Sequence, residues 1–164
     1  MSLVLVRVDD RLIHGQVTQG WAGSLRPDRL VLVNDSVAES PWERELYEAS
    51  APEGMAVSVV RMEEAPEAIE GWLSGGEDLL VLVDGPQDAL RLHEGGVSFD
   101  YLNVGGLHYR EGRTIVLPYV CVDDGDVRAF RLLREAGVEI ECADVPGCER
   151  KDLFECLGSA ASET

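Results

Sequence analysis

With 164 residues, 45% of them hydrophobic and 27% charged, the chain can close one core without disulfides or metals and is too apolar to be disordered. Its formal charge of −17 speaks against nucleic acid and against adhesion to an anionic membrane surface. Apolar runs fall far short of the ~20 residues that a membrane-spanning helix needs, and no secretory-signal pattern opens the chain, so the expected location is the cytoplasm.

Strand-like and helix-like runs alternate from one end to the other. Residues 3–8 read as a buried strand, and a helix begins near His14 with Val17, Gly20 and Trp21 on one face. A second strand, 30–33, ends at Asn34-Asp35-Ser36. Ser40-Pro41-Trp42-Glu43 has the form of a capping box with proline at the first helical position, followed by an apolar stripe of Trp42, Leu46 and Ala49. Residues 55–60 give a third strand, and 63–74 a helix that buries Ile69, Trp72 and Leu73 before Gly75-Gly76. The most hydrophobic strand, 79–83, takes the centre. A short helix over 86–93 ends at Gly95-Gly96, with His93 near its negative pole.

Residues 101–104 form the next strand, closed by Gly105-Gly106. Short strands follow at 113–117, which can equally be extended chain, and at 119–122. Asp123 or Asp124 caps a helix running to Ala136, with Val127, Phe130, Leu132 and Leu133 inward and Gly137 at its end. Residues 138–143 are the last strand, 150–157 a closing helix, and 159–164 a flexible tail. The expectation is a single α/β domain over 1–158: a three-layer, open, mostly parallel twisted sheet with helices on both faces. Ligands gather at the carboxyl ends of such strands, here the loops at 9–14, 34–36, 84–86 and 105–108.

Charge is unevenly spread. Residues 1–30 hold four arginines against three aspartates, a balance of +1, which leaves −18 for the rest. Cys121, Cys142, Cys148 and Cys156 are spaced by 21, 6 and 8 residues without a C-x-x-C pair, so they read as reduced thiols and not as a metal cluster. A P-loop is absent, and Lys151 is the only lysine; no strand runs into G-x-G-x-x-G and no G-x-S-x-G elbow occurs.

What remains is the run from Arg7 to Val17. A histidine at a strand-to-helix junction sits where backbone N–H groups attract anions. Neutral imidazole is also a competent nucleophile near neutral pH. Arg11 can bind phosphoryl oxygens through its planar fork. The N–H groups of Gly15, Gln16 and Val17 can add donors, and Gly15 leaves room for close approach. Asp9 or Asp10 can hold Arg11 or orient the imidazole. Asp35, Asp84 and His108 lie on the other loops expected at the same edge. Against this stands an ordinary helix-start histidine beside a surface Asp10–Arg11 pair, and spacing alone does not separate the two.

The run Asp9-Asp10-Arg11-Leu12-Ile13-His14-Gly15-Gln16-Val17 resembles the active-site signature of the IIB component of the mannose/fructose/sorbose family of the bacterial phosphotransferase system (PTS). The likeness spans essentially the whole chain. Trp21 follows at the family's position, and Leu30-Val31-Leu32-Val33-Asn34-Asp35 resembles its second strand. Leu102-Asn103-Val104-Gly105-Gly106 resembles its N-V-G-G turn, and Val120-Cys121-Val122-Asp123 precedes its penultimate helix. One departure is local: many relatives carry Lys-Thr or Lys-Ser before a proline where this chain has Asp84-Gly85.

The resemblance implies a mostly parallel sheet with an antiparallel element near the C-terminus. It also implies a protein-Nπ-phosphohistidine–sugar phosphotransferase subunit that works without metal or organic cofactor. Nδ1 of His14 would take a phosphoryl group from the phosphorylated IIA component, with Arg11 helping to bind it. The group would pass to a sugar translocated by the membrane IIC/IID permease, bringing the protein transiently to the inner membrane face without inserting. Two other readings stay open: a regulatory phospho-acceptor that signals through protein contacts, suggested by Asp84-Gly85 and the acidity, and a plain small-molecule binding module.

Overall fold

The computed structural model describes residues 2–162. Strand β1, Leu3–Asp9, leads through a loop into a π-helical stretch, Gln16–Trp21, which continues as α1, Ala22–Leu25. Then follow β2, Arg29–Val33; α2, Asp35–Glu39; α3, Pro41–Ala49; β3, Ala56–Val60; and α4, Ala65–Ser74. The second half holds β4, Leu79–Val83; α5, Pro86–Glu94; β5, Tyr101–Gly106; β6, Thr114–Leu117; β7, Val120–Val122; and α6, Asp124–Glu135. It closes with β8, Glu139–Cys142; β9, Lys151–Asp152; and α7, Leu153–Ser162.

Seven strands form one sheet in the order β3-β2-β4-β1-β5-β8-β9, parallel except for β9, which runs antiparallel to β8. β6 and β7 make a separate antiparallel pair. The all-apolar β4 shows why there are two cores. Side chains alternate along a strand, so Leu79, Val81 and Val83 enter one cluster with α4, α5 and α6, while Leu80 and Leu82 enter the other with Val17, Trp21 and Val37. Each fully buried leucine or valine contributes roughly 1.5–3 kcal/mol of hydrophobic stabilisation, so a five-residue strand buried on both faces anchors the three-layer α/β domain.

This topology positions a crevice. The chain after β1 packs on one face through Val17 and Trp21, whereas α5, which follows its neighbour β4, and α6, reached from its neighbour β5 by way of β6 and β7, pack on the opposite face. Connections that diverge to opposite faces open a gap at the carboxyl end of the strand between them. Here that strand is β1, whose last residue is Asp9.

Several expectations from sequence change. The helix after His14 starts at Gln16 and begins as a π-helix. Asn34 ends β2 by capping an additional helix, α2, accepting the Val37 N–H at 3.0 Å. Ser40 caps α3 as expected, but the stripe of Trp42, Leu46 and Ala49 points outward, because α3 packs through Tyr47. Asp123 is the α6 cap and forms a reciprocal box with Asp126. Residues 114–117 are a strand paired with β7. Residues 151–152, expected at the start of a helix, pair with β8, and α7 runs on to Ser162 where a flexible tail was expected; residues 163–164 of that tail lie outside the described part.

Candidate phosphoryl-transfer site

Asp9 is the hub of the carboxyl-edge crevice, fully buried and surrounded by cations. Its Oδ2 accepts hydrogen bonds from Arg7 NH2 at 3.0 Å and Arg11 NH2 at 2.9 Å, and lies 3.1 Å from His14 Nε2. Its Oδ1 accepts from Arg11 Nε at 3.0 Å and from the Arg11 backbone N–H at 3.1 Å. Burial pushes this carboxyl up, but Arg11, Arg7 and His14 together hold it below the usual carboxylate range. Asp9 is therefore an ionised acceptor with no proton to give.

That fixes the imidazole. Facing a carboxylate, His14 Nε2 carries the proton and donates it to Asp9. The other ring nitrogen, Nδ1, then presents a lone pair, and it accepts the Gln16 backbone N–H at 3.2 Å. The loop reaches this arrangement through Leu12, whose φ of 62° is the left-handed conformation. For a residue with a Cβ that conformation costs on the order of 1–3 kcal/mol. The turn closes with the Leu12 N–H donating to the Asp9 carbonyl at 3.1 Å.

Beneath the site, Arg7 lies fully buried in the sheet. Its guanidinium donates to Asn103 Oδ1, to the Ala143 carbonyl at 3.0 Å and to the Asp144 carbonyl at 2.8 Å, and it stacks 5.0 Å from the centre of the Trp21 ring. The glycine pair ending β5 makes this possible. A Cβ on Gly105 would overlap the Arg7 guanidinium, and one on Gly106 would sit 2.8 Å from Asp9 Oδ1 and 3.1 Å from Arg11 NH2. Sequence reading gave Arg7 and Asn103 no role. The available signal was an arginine inside an otherwise apolar strand, matched by a glycine pair at the end of another.

The remaining candidates divide. Gly15 faces open space, since an added Cβ meets nothing within 4 Å. The Gln16 N–H already points at Nδ1, but that of Val17 turns back to the His14 carbonyl at 2.9 Å and is not a free donor. Asp10 neither holds Arg11 nor orients His14. It binds the 108–113 loop instead, accepting the His108 backbone N–H at 2.8 Å and contacting His108 Nδ1 at 2.6 Å, with Arg113 NH1 at 3.8 Å and Arg110 NH2 at 4.0 Å.

His108 thereby walls a cavity of about 420 Å³ that Arg11 also lines, with Tyr109, Ile115 and Tyr119. Asp35 and Asp84 take other partners, although Asp84 follows β4 next to Asp9 at the end of β1. They line a separate cavity of about 290 Å³ with Asn34, Asp88 and Arg91, where Asn34 Nδ2 donates to Asp84 at 3.2 Å. A larger cavity, about 680 Å³, opens at the amino edge of the sheet beside the starts of β1 and β5, away from this chemistry. Among the described residues no group of histidine, cysteine or carboxylate side chains is arranged to hold a metal ion, and no helix is long and apolar enough to cross a membrane.

The chain is similar to known proteins along almost its whole length. The family model described as "PTS system sorbose subfamily IIB component" matches residues 3–164. The N-acetylgalactosamine-specific phosphotransferase enzyme IIB component 2 of Escherichia coli K12 is 37% identical over 156 residues, covering 95% of this chain and 99% of that protein. The mannose-specific EIIAB component of the same strain is 37% identical over 157 residues, covering 94% of this chain and 49% of the relative. The crystal structure of the IIBSor domain of the sorbose permease from Klebsiella pneumoniae superposes with a TM-score of 0.91 at 33% identity, covering 97% of this chain and 98% of that one. The chain therefore belongs to the sorbose subfamily of PTS IIB components, sugar-specific members of a phosphotransferase system.

Proposed function

We propose that His14 is a phosphoryl carrier, loaded by a phosphorylated IIA component and unloaded onto a sugar held by a membrane IIC/IID permease. The observation that carries this reading is the Asp9–His14 pair: with Nε2 donating to an ionised carboxylate, Nδ1 is the nucleophile. In loading, the Nδ1 lone pair attacks phosphorus, the N–P bond of the donor phosphohistidine breaks, and its electron pair stays with the departing imidazole. The Nε2 proton remains in its bond to Asp9 throughout. Phosphoryl transfer asks mainly for positioning and charge stabilisation. Arg11 supplies both: Nε and NH2 are fixed on Asp9, and NH1 is left for an incoming oxygen. The Gln16 N–H, released from Nδ1 when the N–P bond forms, becomes a donor to a phosphoryl oxygen.

In unloading, a sugar hydroxyl attacks phosphorus, its proton leaves to a base at the sugar site, and the N–P electron pair returns to Nδ1. Relatives named for N-acetylgalactosamine, mannose and sorbose support a six-carbon sugar as the acceptor class. The pairing of Asp84 with Asn34 weakens one motive for the regulatory reading, since that carboxylate is engaged by another side chain.

The test is incubation with phosphorylated IIA. Wild type takes up acid-labile phosphate and His14→Ala takes up none; equal uptake by the variant overturns the carrier. Sugar phosphorylation by permease-bearing membranes then separates transport from regulation.

A further inference from the structure

Helix α3 buries no residue of its own. Trp42 is 72% exposed and Leu46 54% exposed, and with Ala49 they repeat at the spacing that lines one helix face. Such a face normally turns to the core, yet here the core contact is made by Tyr47 from the other side. Tryptophan is the side chain most often found as an energetic anchor in protein interfaces, and an isolated outward tryptophan–leucine pair has the character of such an anchor.

Charge narrows the occupant. Residues 35–53 contain six acidic side chains and one arginine, Arg44. That arginine is taken up by Glu48 at 3.2 Å, and Glu39 is paired with Arg61 at 3.0 Å. Glu45, between Trp42 and Leu46 on the exposed side, makes no ion pair among the described residues. A second copy would bring the same acidic rim, and a lipid surface is itself anionic, so both are repelled. The complementary partner is a protein surface with an apolar centre and a basic rim. Cytoplasmic loops of membrane proteins carry that excess of Lys and Arg.

Position agrees. The Glu39–Arg61 pair ties the α2–α3 junction to the end of β3, at the carboxyl edge that also holds His14. Trp42, in the first turn of α3, is therefore near that edge. It flanks strand β3, three strand spacings from β1 in the sheet order, or about 14 Å at ~4.8 Å per strand. A partner seated on α3 would leave His14 uncovered and beside it.

Building on the phosphocarrier reading, we infer that the outer face of α3, with Trp42 and Leu46 as anchors and Glu45 as the charge contact, docks the protein on a basic-rimmed apolar patch of the permease's cytoplasmic side.

The experiment titrates wild type, Trp42→Ala, Leu46→Ala and Glu45→Lys into inverted membrane vesicles bearing IIC/IID, with excess phosphorylated IIA, and follows sugar phosphorylation. The expected result is that all four proteins take phosphate on His14 at the same rate, which also reports that they fold. The half-saturating concentration rises about tenfold or more for Trp42→Ala, less for Leu46→Ala and Glu45→Lys, and added salt weakens wild type. Unchanged half-saturation overturns the proposal. So does slower loading from phosphorylated IIA in the variants, which would make α3 the IIA surface. A wild-type dimer that Trp42→Ala dissociates in sedimentation overturns it in favour of a second copy. Co-sedimentation with permease-bearing against permease-free vesicles reads docking without any chemistry. Failure of His14 to take phosphate would thus count against the carrier and not against this surface.

Discussion

Asp9 and Asp10 are adjacent in sequence and each engages a histidine, yet they build different things. Asp9 is sealed under Arg7 and Arg11 and grips His14 through Nε2, so its outward nitrogen is Nδ1. Asp10 grips His108 through Nδ1, with Arg110 and Arg113 around it, and so ties down an exposed loop. The same carboxylate–imidazole contact thus turns Nδ1 outward in one place and clasps a loop in the other. The difference lies in the exposure of the histidine and in which ring nitrogen is left over.

The sharpest way to break this comparison is to neutralise each aspartate in turn. Asp9→Asn leaves Arg7 buried without its counter-charge, which costs about 3–5 kcal/mol in comparable cases. It also frees the imidazole to change tautomer, so phosphate uptake should fall far below that of Asp10→Asn, whose carboxylate is nearly buried too but serves the 108–113 loop, so that its loss should cost stability while leaving His14 loading close to wild type. Denaturant unfolding and His14 loading rates check both. Equal losses would erase the distinction. The pH dependence carries a sign as well. Asp9 has a folded pKa below its unfolded value, so its contribution is complete above pH ~4 and disappears as the pH falls through the folded value. Asp9→Asn should flatten the acid limb of the stability curve.

Next in size is Gly105→Ala. The added methyl group occupies the place of the Arg7 guanidinium, so either Arg7 leaves its four partners or β5 shifts. Overpacking of this kind costs roughly 1–3 kcal/mol, to be read as a lowered unfolding midpoint. Ordinary stability would mean that the glycine pair is not what seats Arg7.

The smallest effect tests the neighbouring acidic cavity. Burial and a hydrogen bond with Asp84 push the Asp88 carboxyl up to about 7. A carboxyl raised on folding contributes stability that is complete below its unfolded value of ~3.9 and is lost as the pH rises toward the folded one. Asp88→Asn should therefore gain thermal stability over wild type at pH 8 compared with pH 4.5, without changing His14 loading. A difference independent of pH would refute the raised Asp88 carboxyl.

Much of this was legible in the chain because it rests on local rules. Periodicity located β4, Asp123 and Ser40 announced caps, and the His14 run with its glycine marked the loop that carries the candidate site. What escaped depended on distant partners. Arg7 gains meaning only when β5 arrives beside it and leaves Gly105 empty, a contact across 98 residues that no local pattern encodes. Likewise, nothing local decides which of two adjacent aspartates turns inward, and Asp84 joins Asn34 only because β2 and β4 are neighbours. The α3 stripe shows the limit of amphipathic patterning, which tells that a helix has two faces but not which one the sheet receives.

The guanidinium lodged against Gly105 has a consequence for charge. Arginine keeps its charge at every physiological pH, so Arg7 and Arg11 set two permanent positive charges on Asp9, with Asp144 close enough to act on both and Asp10 on Arg11. On the phosphocarrier reading, an incoming phosphoryl group of roughly −2 would meet a field to which a buried ion contributes without touching the phosphate.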